Sequence, residues 1–356
     1  MKSIIPTTQH VKNLGRTLFQ DDILWLALSG SGIEFNYEGQ YLEIRLQGDD
    51  HTAADADHAR IAVYVDEERI LDEMIRSPQP CYTILDEQAP RNCKVRIIKI
   101  SEAPMSITGI RELITDDAAS VSPAPSKTHR IEFIGDSITC GYGTDDDDLS
   151  HTFSTATEDV TKAYAYRTAQ MLDADYSMVS YSGYGVYSGF VDESIDIRNT
   201  SELVPPYYTL VGFSRGTYKG NAITMTDWDF RSFVPEIIVL NLGTNDNSYC
   251  RSKPEREAEF MDCYQTFVTL VRKKNPDAYI LCTYGLMNCE LIPSIEETLN
   301  RYRQASGDER ISFLPLPTQT DADGYVVDYH PSLGTHRKAA DIVAAKIREI
   351  IISSVS

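Results

Sequence analysis

Apolar and polar residues alternate one for one through the front of this chain. Ile33, Phe35 and Tyr37 are interleaved with Glu34, Asn36 and Glu38, and Leu42, Ile44 and Leu46 with Glu43 and Arg45. A period of two is that of a strand with one buried and one wetted face. Residues 23–28, 61–65 and 94–100 are further strand candidates, set apart by turn residues. Residues 1–118 therefore predict an all-β sandwich. Positions 119–128 open with the small, polar, twice-proline sequence ASVSPAPSK and predict a linker between domains.

From residue 129 the period changes. Short apolar runs at 131–134, 176–181, 237–242, 279–283 and 311–314 predict strands of a parallel sheet covered on both faces, with helices between them. In a helix opened by Pro254, the residues Phe260, Tyr264, Phe267 and Val271 recur at helical spacing, and Ala339, Val343, Ile347 and Ile350 do so in the last helix. Both stripes read as faces packed on the sheet.

The chain's 356 residues exceed the usual single core, in keeping with two domains. A formal net charge of −20 argues against nucleic acid, because binding phosphate backbones needs clustered Lys and Arg; a neutral or cationic substrate fits better. Neither a signal-peptide core nor an apolar run of membrane length is present, so a cytoplasmic protein without a membrane partner is expected. The seven cysteines are odd in number and lack C-x-x-C spacing, which argues against a disulfide framework and against zinc. Asp145 to Asp148 reads as a solvated acidic loop. Oligomeric state is left open.

In an open α/β sheet, ligands bind beyond the carboxyl ends of the strands. Four polar blocks fall there or before the last helix: Gly135-Asp136-Ser137, Tyr181-Ser182-Gly183-Tyr184-Gly185, Gly243-Thr244-Asn245-Asp246, and Asp328-Tyr329-His330-Pro331-Ser332. Ester hydrolysis through an acyl-enzyme needs a nucleophile, a base and donors aimed at the oxyanion. Ser137 supplies the first and His330 the second. The backbone N–H groups of Ser137 and Gly185 and the side-chain amide of Asn245 are candidate donors, with Gly183 the alternative in the same loop. Each has a blander reading: Ser137 as a helix cap, His330 as a residue at a helix entrance, Asn245 as an Asx turn. Asp246 reads as a structural cap and His336 as a solvent-facing helix residue.

The four blocks resemble the SGNH (GDSL) hydrolase superfamily, named for its Ser, Gly, Asn and His. GDSITCGYG, FSTATEDVTKAYAYRTAQMLDADY from Phe153, SYSGYGV from Ser180, WDF from Trp228, VLNLGTND from Val239 and DYHPS from Asp328 are similar to carbohydrate esterase family 2, as is Gly15-Arg16-Thr17 in the front domain. The resemblance implies a small, jelly-roll-like β-sandwich ahead of a three-layer, doubly wound α/β hydrolase domain over 129–356. It implies removal of O-acetyl groups from xylan or other hemicellulose oligosaccharides through an acyl-enzyme on Ser137, with neither metal nor cofactor. It also places aromatics at Trp228 and Tyr329 near the cleft; with Tyr184, these are candidates for stacking on sugar rings. One departure matters. The superfamily carries Asp three residues before its His, whereas here that position is Val327 and the carboxylate is Asp328. Either Asp328 or a backbone carbonyl is then left to orient the imidazole. The rival functions are an SGNH acylhydrolase acting on another ester or thioester, and a catalytically inactive carbohydrate-binding protein.

Overall fold

A computed structural model describes residues 1–51 and 57–355. It divides into two compact units: Met1–Lys127 with Ser154–Glu158 and Leu210–Trp228, and Thr128–Phe153 with Asp159–Thr209 and Asp229–Ser356. The division is therefore not the sequential one expected, since two later segments rejoin the first unit. The expected linker 119–128 is corrected as well. Within it, Ser120–Pro123 is a strand paired antiparallel with Gly32–Gly48. Composition hid the strand because a single apolar residue, Val121, packs it on the core, and its proline stands where no further strand pairs.

In the first unit ten antiparallel strands share one hydrogen-bonded sheet. The predicted alternations both lie in the long strand Gly32–Gly48, which pairs with Cys81–Lys99 through register shifts between Gly39 and Tyr41 and between Leu42 and Glu43. Its inward side chains, Ile33, Phe35, Tyr37, Leu42, Ile44 and Leu46, enter one buried cluster with Val95, Ile97, Ile110 and Leu113. The segment Leu210–Trp228 is tied in by polar bonds. Arg16, fully buried, donates from Nη1 to the Leu210 carbonyl at 2.7 Å, and the Asp50 carboxylate accepts from the amide of Gly220 and the hydroxyl of Thr217, each at 2.8 Å.

The second unit is built on five parallel strands, β1 (His129–Gly135), β2 (Ala174–Ser180), β3 (Ile237–Asn241), β4 (Tyr279–Tyr284) and β5 (Ile311–Pro315), in the order β2-β1-β3-β4-β5. Connections from β1 and from β2 run in opposite directions across the sheet, which opens a crevice at the carboxyl end of β1. The helices are α1 (Ser137–Cys140), α2 (Tyr164–Met171), α3 (Thr244–Cys250), α4 (Pro254–Lys274), α5 (Ile292–Ser306) and α6 (Leu333–Val355). The predicted faces of α4 and α6 are buried. Strict alternation fails once: between β2 and β3 there is no α-helix, and residues 181–236 run as loops with 3₁₀ turns at Pro205–Tyr207 and Phe230–Ser232. Gly, Pro, Ser and Asn interrupt this stretch too often for an apolar stripe to recur at helical period. No described helix is long and apolar enough to cross a membrane.

Candidate active site

At the end of β1 the chain turns sharply into α1. Asp136 has extended backbone (φ −120°), and its Oδ1 accepts from the Ile138 amide at 3.0 Å, capping the helix. Gly135 is required by the closeness of this turn, since a Cβ there would lie 2.0 Å from Thr139 Oγ1. Ser137 thus occupies the first helical position, buried, where its N–H has no acceptor within the helix. Burial pushes the Asp136 carboxyl up to about 7, against the pull of the Ile138 amide; the charge of Asp246 adds to the rise.

His330 reaches Ser137 from the short strand His330–Pro331, before α6. Its Nε2 lies 2.8 Å from Ser137 Oγ, and its Nδ1 lies 3.2 Å from the backbone carbonyl of Asp328. A carbonyl only accepts, so the ring proton sits on Nδ1 and Nε2 presents its lone pair to the serine hydroxyl. The open choice of orienter therefore resolves to the backbone. The Asp328 carboxylate is turned elsewhere and accepts from the Tyr142 hydroxyl at 2.6 Å. Asp328 and Tyr329 both hold left-handed backbone, φ 53° and 57°, which aims the Asp328 carbonyl at the ring. Burial pulls the imidazole down to about 4, opposed by the Asp328 charge and by the carbonyls of Asp328 and Val327.

Asn245, at the second position of α3, is buried, and its Nδ2 donates to the Tyr184 carbonyl at 2.9 Å. An amide nitrogen carries two hydrogens, so one remains for an oxyanion. Gly185 departs from expectation. Its N–H donates to the Glu202 carbonyl at 3.1 Å, so in this conformation it is not offered to a ligand. Glycine is needed there for packing instead: a Cβ would lie 2.0 Å from the Ser188 carbonyl and 2.7 Å from Asp246 Oδ1. Asp246 organises this loop rather than capping a helix. Its fully buried Oδ1 accepts from the amides of Val186, Tyr187 and Ser188 at 2.9, 2.7 and 2.9 Å, and burial raises its carboxyl to about 6 against those three bonds.

The aromatic candidates separate. Tyr184 is buried against Tyr181 and Tyr207 and presents no face for a sugar. Tyr329, next to His330, is 62% exposed and could meet a ring. Trp228 belongs to the first unit, where its indole lies 5.4 Å from the Arg16 guanidinium. His336 is corrected: it is buried, its Nδ1 accepts from the Tyr164 amide at 3.1 Å, and burial takes it down to about 3. The acidic loop is partly neutralised, with Asp145 paired to Lys162 and Asp146 lying 3.0 Å from His151. All seven cysteines are free thiols. Sequence reasoning missed Tyr142, although it stands inside the GDSITCGYG block that supplies Ser137.

A GDSL-like lipase/acylhydrolase family model matches residues 133–338, and a carbohydrate esterase 2 N-terminal model matches residues 13–125. The chain belongs to the GDSL-like lipase/acylhydrolase family, and its front part is similar to the N-terminal part of carbohydrate esterase 2 proteins. Among its relatives is the cellulase/esterase CelE of Acetivibrio thermocellus, 34% identical over 64% of this chain and 26% of that protein. The chain thus spans about a quarter of CelE. An acetylxylan esterase / glucomannan deacetylase of Cellvibrio japonicus is 24% identical over 98% of this chain and 91% of its own. Among solved structures, a family two carbohydrate esterase from Clostridium thermocellum in complex with cellohexaose superposes with a TM-score of 0.83 at 25% identity, covering 96% and 99% of the two chains. An acetyl xylan esterase from Butyrivibrio proteoclasticus does so with a TM-score of 0.87 at 25% identity, covering 98% of each.

Proposed function

We propose that this protein is a serine esterase that removes O-acetyl groups from xylan-derived or other hemicellulose oligosaccharides. The observation that carries the chemistry is the 2.8 Å approach of Ser137 Oγ to a His330 nitrogen whose partner nitrogen faces a carbonyl. Ser137 attacks the acetyl carbonyl while Nε2 takes its proton. The tetrahedral oxyanion receives the Ser137 amide and the free hydrogen of Asn245. Collapse releases the sugar hydroxyl, which leaves with the proton from Nε2, and the acetyl group stays on Ser137. Water then attacks the acyl-enzyme with Nε2 as base, and acetate departs. No step draws on a metal or cofactor.

The substrate class is supported by the esterase and deacetylase names of the relatives and by a chain charge of −20, which suits a neutral carbohydrate better than an anionic ligand. Exposed Tyr329 offers such a sugar an aromatic face beside the base. Purified protein is to be assayed on p-nitrophenyl acetate, butyrate and octanoate and on acetylated xylan. Acetate esters are expected to turn over fastest, with acetate released from the xylan. Faster turnover of octanoate would replace this reading with that of a lipase-like acylhydrolase, and inactivity on every ester with that of a carbohydrate-binding protein.

A further inference from the structure

The acyl-transfer scheme gives no part to Tyr142, yet this side chain meets both the base and the residue that orients it. Its ring is stacked on the imidazole of His330, with centroids 3.9 Å apart and planes 20° from parallel. Phe153 is stacked on the tyrosine in turn, at 4.3 Å and 19°. Two rings cannot share one face at such distances, so tyrosine lies between phenylalanine and imidazole. Its hydroxyl donates to Asp328 Oδ2 at 2.6 Å.

We propose that Tyr142 is a positioning residue for His330: its ring fixes the imidazole plane, and its hydroxyl, by holding the Asp328 carboxylate, keeps the Asp328 carbonyl turned to Nδ1. The proposal rests on the Ser137–His330 reading of the site. Asp328 has φ 53°, a conformation that a non-glycine residue keeps only where its surroundings over-determine it. The tyrosine bond is one such constraint. Another holds the next carbonyl, that of Tyr329, which accepts from Gln319 Nε2 at 2.8 Å. The arrangement also gives a role to a carboxylate placed two residues before the histidine, where it does not touch the imidazole. It anchors the ring that does. When Nε2 takes the serine proton, the imidazolium forms against the electron-rich face of a tyrosine whose hydroxyl donates to an anion, and that contact favours the charged ring.

Tyr142→Leu removes ring and hydroxyl, and Tyr142→Phe only the hydroxyl. For the leucine variant, kcat on p-nitrophenyl acetate is expected to fall about tenfold or more with KM changed by less than about threefold, since orientation rather than binding is lost. The phenylalanine variant keeps the stack and is expected to lose less. Nitrogen-15 NMR of the His330 ring gives a readout apart from turnover: a single Nδ1–H tautomer in the wild type and the phenylalanine variant, and averaged nitrogens in the leucine variant. Asp328→Asn is expected to cost less in the Tyr142→Phe background than alone, because part of its effect passes through the hydrogen bond that both variants weaken, the remainder being the loss of the Asp328 charge beside the imidazole. A leucine variant with wild-type kcat and tautomer, or with its loss wholly in KM, would overturn the proposal. Should that variant not fold, additive losses in the Tyr142→Phe and Asp328→Asn pair would do the same. Retained activity in Ser137→Ala would instead strike the acyl-enzyme reading and leave the NMR result standing.

Discussion

His330 takes its orientation from the main chain of Asp328, whose carbonyl lies 3.2 Å from Nδ1, and not from that residue's carboxylate. The two orienters differ in what a single substitution removes. Asp328→Asn leaves the carbonyl in place and an oxygen able to accept from Tyr142. The loss in kcat is expected to stay within about tenfold, the scale of one modest charge effect. In a working triad the same change would favour the wrong tautomer and remove about four orders of magnitude, as in the serine proteases. Comparing kcat of Asp328→Asn with that of His330→Ala, alongside the melting curves, separates the two: an equally complete loss in a natively folded variant would restore the carboxylate to the triad.

Much of this arrangement was legible in the sequence. Period-two alternation marked Gly32–Gly48, helical stripes marked α4 and α6, and strand-end polar blocks marked Ser137 and His330. What escaped was set by contacts between distant residues. Whether the Gly185 amide is free depends on Glu202, and the burial of His336 depends on the Tyr164 amide that its Nδ1 accepts from. Neither partner is near in sequence. Tyr142 escaped because an aromatic between two glycines has no local signature for the ring it stacks on. The strand Ser120–Pro123 was hidden by a composition that suits an exposed sheet edge as well as a linker.

Asn245 joins two jobs that one variant can measure together. Asn245→Ala removes the hydrogen left for the oxyanion and is expected to lower kcat by about 10² to 10³. It also leaves the buried Tyr184 carbonyl without its donor, so stability is expected to fall by about 1–2 kcal/mol. Turnover and urea unfolding on the same preparation check both. A stability loss with unchanged turnover would confine Asn245 to holding the Tyr184 loop.

Asp246 is expected to matter for folding rather than for chemistry. Asp246→Ala would leave the amides of Val186, Tyr187 and Ser188 buried without an acceptor, at a cost of at least about 3 kcal/mol if each loss is near the low end for a buried donor. Asp246→Asn retains one acceptor oxygen and is expected to cost about 1–2 kcal/mol. Urea unfolding of the two variants gives the order. If the asparagine variant unfolded like the wild type but lost activity as fully as Ser137→Ala, Asp246 would belong to the chemistry.

The pH dependence of kcat/KM follows from the burial of His330. A general base works unprotonated, and kcat/KM reports the pKa of the free enzyme. With the imidazole pulled down to about 4, activity is expected to persist well below the usual histidine range and to fall as pH drops through about 4. Around that ring stand Asp328, Tyr142, Ser137 and the buried His336; the Asp328 charge and the carbonyls of Asp328 and Val327 work to raise it, against burial. Stability carries two opposed contributions. His330 and His336 are lowered to about 4 and about 3, so what they contribute is full above about 6.5 and lost as pH falls through those values. Asp136 and Asp246 are raised to about 7 and about 6, so what they contribute is full below the usual carboxylate range and lost as pH rises through those values. Between pH of about 4 and about 6 the pairs offset each other, and Tm is expected to vary less there than either pair alone would make it. Replacing His336 with Gln removes one imidazole from the balance. Tm of that variant, measured relative to wild type, should therefore rise as pH is lowered across this window. A kcat/KM midpoint near 6.5 in the wild type would show that the imidazole is as well solvated as a free histidine, and would remove the burial argument for both the base and its pH range.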